Sequence, residues 1–135
     1  MNSNLSFQES MIAGLKAAGV AMAINGILFV ATKSAGIITD VIHVQPGQPL
    51  TIMPVLLASV FPTLIGVLVF FILEKISARG YAIFRILSIA LLLLSFASPF
   101  MGIPGVTMGY ALVLCLMHAV VALPLLYFIG KAKGK

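Results

Sequence analysis

The chain has 135 residues, 61% of them hydrophobic and only 8% charged, with a mean hydropathy of +1.21. A soluble domain carries roughly 25% charged residues, so this composition has too little polar surface to cover a water-soluble fold. The net charge of +5 comes from basic residues scattered at the ends of apolar stretches. No stripe interleaved with aromatics is formed, so membrane orientation accounts for the charge better than a nucleic-acid partner does.

A spanning helix needs about 20 apolar residues. The length therefore admits four such helices, a moderate loop and short ends, with no room for a separate soluble domain. The expected architecture is all-α: one four-helix transmembrane domain over residues 1–135, an antiparallel bundle with helices at 11–32, 53–75, 81–98 and 108–130 and a loop at 33–51. Residues 1–10 are polar and lack the basic start of a secretory signal, so the first helix is expected to be retained.

The first helix carries small residues on one stripe: Ala13 or Gly14, Ala17, Ala18 and Ala21, followed by Asn25. Steps of four put Ala17, Ala21 and Asn25 on one face, where another helix can approach closely. The loop at 33–51 combines a β-prone run, 37–44, with the turn chemistry of Gln45-Pro46-Gly47-Gln48-Pro49. It is expected to fold back on the membrane surface or to make a short hairpin. Asp40 and His43 within it are two metal-ligand types at i and i+3, one or two fewer than zinc normally takes from protein. They are read as solvated loop residues, and no metal or other cofactor is called.

The second helix has Pro54 in its first turn, where a missing amide does little harm. Pro62 lies in its interior and should free a carbonyl and bend it, with Ser59 and Thr63 placed to bond the freed groups or a neighbouring helix. A short turn at 76–80 makes the second and third helices antiparallel neighbours. Glu74 and Arg85 lie nearly equidistant from that turn and either pair across it or reach separately for headgroups. The third helix is Leu-rich, with only Ser88 and Ser95 polar, and reads as the most lipid-exposed. The segment 99–105 reads as a tight apolar turn before Thr107 opens the fourth helix.

The fourth helix holds Ala111, Cys115, His118 and Ala122 at steps of four, three and four, with Pro124 beyond them. His118 lies near its middle, and an ionisable group at that depth should face the bundle interior or water. Asn25 falls at a similar depth, which points to a shared polar cluster. His118 can serve there as a ligand-contacting or proton-coupled residue. It can equally be a structural residue bonded to Asn25, Ser59 or Thr63, worth about 0.6 kcal/mol. Cys115, the single cysteine, can complete neither a disulfide nor a multi-cysteine metal site. Tyr127 and the tail lysines 131, 133 and 135 mark the water interface.

With the N-terminus inside, seven basic residues (Lys16, Lys75, Arg79, Arg85, Lys131, Lys133 and Lys135) fall on the cytoplasmic side against Lys33 alone outside. The positive-inside rule then puts both termini in the cytoplasm.

Several motifs act together: Leu73-Glu74-Lys75 closing the second helix, Phe84-Arg85 opening a Leu-rich helix that ends in Ser95, and Leu116-Met117-His118-Ala119-Val120-Val121-Ala122 in the fourth. With the Pro/Gly first loop, they resemble a family of small four-helix bacterial membrane proteins known only as a domain of unknown function. The resemblance implies the four-helix topology and a bacterial envelope, here the inner membrane, and brings no activity or catalytic residue.

The spans contain no phosphate loop, no Ser-His-Asp set and no paired carboxylates, so hydrolase, nucleotide-driven pump and cation-antiporter mechanisms lack their parts. Bis-histidine haem ligation would need His43 in a helix. Four short helices enclose little volume, so the leading expectation is a non-enzymatic channel- or carrier-like homo-oligomer. It would assemble through the small-residue faces of the first and fourth helices around His118 and Asn25. The alternatives are a structural or accessory subunit and, third, a membrane enzyme or redox accessory acting on a quinone or lipid.

Overall fold

The computed structural model describes residues 4–134. Helix α1 is Phe7–Ser34 and α2 is Ile52–Ile76; α3 is Gly80–Ser95, α4 is a short Ser98–Gly102, and α5 is Met108–Ala132. Four segments are long and apolar enough to cross a membrane: α1, α2, the run Gly80–Gly102, and α5. At 1.5 Å per residue the 28-residue α1 is about 42 Å long, more than the roughly 30 Å hydrocarbon core.

Helix α1 begins a turn earlier than apolar periodicity alone indicates, because Ser6 and Glu9 form a capping box. The Glu9 amide donates to Ser6 Oγ (3.2 Å), and the Ser6 amide donates to the Glu9 carboxylate (2.8 Å). Of the two forms expected for the loop that follows, it contains the short hairpin. Strands β1 (His43–Gln45) and β2 (Gln48–Pro49) pair antiparallel around Gly47, whose φ of +72° suits glycine. Only the end of the β-prone run is strand. Ile38 and Ile42, earlier in it, are instead buried over the helix ends with Phe29, Leu50, Val55 and Tyr110.

The buried positions of α2 are Val55, Ser59, Thr63, Val67, Phe70 and Glu74, a single stripe at steps of three and four. The chain then reverses through residues 77–79, and Gly80 sits hard against the end of α2. A Cβ there would lie 2.5 Å from the Leu73 carbonyl oxygen and 2.6 Å from the Glu74 amide nitrogen. Only glycine permits a turn this tight.

The third apolar segment differs from its expected form. The helix breaks at Phe96 and Ala97, and Pro99, read as the start of a turn, is buried in the first turn of α4. Proline is tolerated there because the first-turn amides have no intrahelical partner. This segment is the most peripheral, with only 11% of its apolar stretch buried, and it packs mainly on α2 and α5. Thr107 caps α5, its hydroxyl accepting from the Tyr110 amide at 3.2 Å.

Helix α1 packs against both α2 and α5. Asn4 donates to the Glu74 carbonyl (3.1 Å) and Lys133 meets the Glu74 carboxylate (2.6 Å), so the start of α1 and the ends of α2 and α5 share one end of the molecule. Two apolar cores result. One, at the end with the chain termini, is formed by Ala13, Ala17, Val67, Phe70, Leu125 and Ile129 among others. The other, under the hairpin, includes Phe29, Val55, Tyr110 and Met117. Between them on α1 and α2 lie the only buried mid-helix polar side chains, Asn25, Ser59 and Thr63, among the described residues.

Candidate functional site

Asn25 is 2% exposed and ties all three core helices together. Its amide nitrogen donates to Ser59 Oγ on α2 (3.0 Å) and to the Met117 carbonyl on α5 (3.2 Å). Ser59 has already given its proton to the Val55 carbonyl (2.8 Å), so toward Asn25 its hydroxyl is an acceptor. A carbonyl can only accept as well. Both facts fix the orientation of the amide, since flipping it would set an oxygen against two acceptors. The Asn25 Oδ1 is therefore the leftover atom, buried with no hydrogen-bond partner.

A buried amide oxygen with no partner costs about 1–3 kcal/mol, and most native polar atoms avoid that state. Asn25 lines a groove of about 180 Å³ with Pro54, Val55, Ala58, Met117 and His118. Asn25 and His118 both line this groove, but each has its own partners and no hydrogen bond joins them into the expected cluster.

His118, expected to face the bundle interior or water, does not face the interior. The residue is exposed, and its Nδ1 lies 2.6 Å from the Leu114 carbonyl one turn earlier on α5. The carbonyl accepts, so Nδ1 carries the proton, and in the neutral ring Nε2 is the acceptor. This internal bond lets the imidazole occupy an apolar face with half of its hydrogen bonding satisfied.

Ser59 and Thr63 do not bond the carbonyl that Pro62 frees. Thr63 donates to the Ser59 carbonyl (2.9 Å), so both hydroxyls serve carbonyls one turn back in their own helix. The freed carbonyl is that of Ala58, four residues before Pro62, and Ala58 lines the groove. Ala58 and the Met117 carbonyl are site features that residue-type reasoning missed. Counting back four from Pro62 would have found the first.

The remaining candidates lie elsewhere. Cys115 is a half-buried thiol reaching the Phe96 carbonyl (3.5 Å) where α3 breaks. Glu74 does not pair with Arg85. It lies on the buried stripe of α2 and takes Lys133, while exposed Arg85 lies over the Tyr81 ring, 5.8 Å from its centre. Asp40 pairs with Lys33 (3.0 Å) and His43 is exposed. No group of three His, Cys, Asp or Glu residues is assembled among the described residues.

The small-residue stripe of α1 is likewise corrected as an assembly surface. Ala13, Gly14, Ala17, Ala18 and Ala21 are all buried, with α2 and α5 packed on α1. On α5, Ala111 is buried but Cys115, His118 and Ala122 are not, so no continuous small-residue face remains there.

Four apolar segments long enough to span, three of them tied by a buried asparagine, define a small multi-pass membrane protein class. Within that class the chain belongs to the family of unknown function DUF6069, whose model matches residues 6–134. Neither a curated protein nor a solved structure matches it.

Two substitutions separate packing from function here. His118→Leu is expected to leave stability within about 0.5 kcal/mol of the parent, because the lost bond lies within α5 and the residue is exposed. Asn25→Leu should change stability by less than about 1 kcal/mol, since loss of two hydrogen bonds is offset by removal of the unpaired oxygen. Unfolding by SDS titration in mixed micelles, followed by circular dichroism, measures both.

Proposed function

We propose that the protein is a non-enzymatic, carrier-like membrane protein that binds a small ligand in the groove lined by Asn25 and His118. The observation carrying this reading is the unpartnered Oδ1 of a 2% exposed asparagine. Packing alone would be served by leucine, whereas a ligand donor would complete the amide's hydrogen bonding. The four spans form an antiparallel bundle in a bacterial inner membrane. Both termini are cytoplasmic because the basic residues cluster at the end where Asn4, Glu74 and Lys133 meet.

A second reading is favoured by the exposure of His118 on a lipid-facing helix. Further copies of the chain associate through the outer face of α5, making a homo-oligomer in which His118 is covered. Under that reading the protein is a structural or accessory subunit.

The test uses the full chain in phosphatidylcholine nanodiscs with a 13C-labelled His118 ring and Met117 methyl. Phenol, a one-ring probe, is titrated in, with its partition into protein-free discs subtracted. Saturable shifts at both labels support the ligand site. Shifts that rise linearly with probe, as partition gives, overturn it. Sizing of His118→Ala against the parent tests the oligomer reading, which requires the variant to dissociate.

A further inference from the structure

The unpaired atoms carried by residues that line the groove all have the same hydrogen-bonding sense. Asn25 Oδ1 has no partner. The Ala58 carbonyl has lost its helical donor, because the residue four positions on is Pro62. His118 Nε2 is the acceptor left once Nδ1 is engaged by Leu114. The side-chain donors around them are already committed: the Asn25 amide protons to Ser59 and Met117, the Ser59 proton to Val55, and the His118 Nδ1 proton to Leu114. The groove therefore offers acceptors and withholds donors.

Charge narrows the choice further. No acidic residue lines the groove, so a cation would shed its hydration with no counter-charge in an apolar setting. No lysine or arginine lines it either, which leaves an anion without a partner. Size sets the last limit. The volume is about 180 Å³, and a cavity of roughly 150 Å³ accommodates benzene.

We infer that the ligand of this groove presents a neutral, hydroxyl-type hydrogen-bond donor on a headgroup about one ring in size, its proton directed to Asn25 Oδ1. The remainder of such a molecule, a hydrocarbon tail if it has one, lies along the lipid-facing side beside the exposed His118. This inference rests on the ligand-binding reading of the groove, and its test separates the two.

In the same labelled nanodiscs, phenol is compared with anisole, which keeps the ring and oxygen but lacks the proton, and with benzylammonium, which adds a charge. Apparent affinities are corrected for partition into protein-free discs. Phenol is expected to bind about fivefold to tenfold more tightly than anisole, the value of one hydrogen bond to an otherwise unpaired acceptor. Asn25→Leu should remove that difference, phenol and anisole then binding the variant equally. Equal affinity of phenol and anisole, each shifting the His118 and Met117 signals saturably, overturns the donor assignment and leaves the groove standing as a ligand site. Tighter binding of benzylammonium than of phenol overturns neutrality. If no probe shifts those signals saturably, the groove reading fails and the ligand class fails with it.

Discussion

Lys133→Met is expected to destabilise the protein by about 3 kcal/mol, as removal of one member of a buried ion pair typically does. The Glu74 carboxylate and the Lys133 ammonium meet at 2.6 Å, with side chains only 5% and 6% exposed. Truncating the lysine leaves a carboxylate enclosed among helix ends with its counter-charge gone. The double variant Glu74→Leu/Lys133→Met should recover most of that loss, ending within about 1 kcal/mol of the parent, because an apolar pair of similar volume carries no desolvation cost. SDS-titration unfolding of parent, single and double variants measures the three values. A double variant as unstable as Lys133→Met would show that the pair contributes through geometry no apolar contact replaces.

This contact also shows where sequence reading stopped. Glu74 was legible as a residue at the end of the second helix, and Arg85 was the nearest basic residue across the turn. The true partner lies 59 positions away, at the C-cap just past the end of α5. Which face of α2 Glu74 occupies is set by the stripe Val55, Ser59, Thr63, Val67 and Phe70. Periodicity in α2 cannot reveal that stripe, because nearly every residue of the helix is apolar. A membrane helix lacks the polar face that orients a soluble amphipathic one.

The same physics governs the other elements. The four apolar segments and the hairpin around Gly47 were readable, since hydropathy, proline and glycine report on span and turn directly. Asn25 was readable as buried, because its stripe of alanines is the one face of α1 built for close approach. His118 was not. Its bond to Leu114 is local and lets an imidazole face outward, and residue type gives no sign of it. Among the acceptors on the groove-lining residues is the backbone carbonyl that Pro62 frees at Ala58, which side-chain identity does not register.

The approach of α1 to α2 yields the other large effect. Gly14 faces Val67, and a Cβ built on Gly14 would collide with the Val67 Cγ2 methyl. Valine is branched at Cβ and held to few χ1 rotamers in a helix, so the methyl cannot swing aside cheaply. Gly14→Ala therefore forces the helices apart or Val67 off its rotamer, at about 2 kcal/mol, within the usual range for overpacking. That cost outweighs the roughly 1 kcal/mol that alanine gains over glycine in helix propensity, so a net loss of about 1 kcal/mol is expected. Gly14→Leu cannot be fitted at all and should cost at least about 3 kcal/mol. Because α1 also carries Asn25, any separation of α1 from α2 loosens the 3.0 Å Asn25 to Ser59 bond eleven residues along. The diagnostic experiment is the cycle of Gly14→Ala, Val67→Ala and the pair. Val67→Ala alone opens a cavity costing about 1–2 kcal/mol, yet in the Gly14→Ala background the new methyl occupies part of that space. The double variant should therefore be at least about 1 kcal/mol more stable than the sum of the single losses predicts. Strict additivity would mean that the two helices do not touch at Gly14.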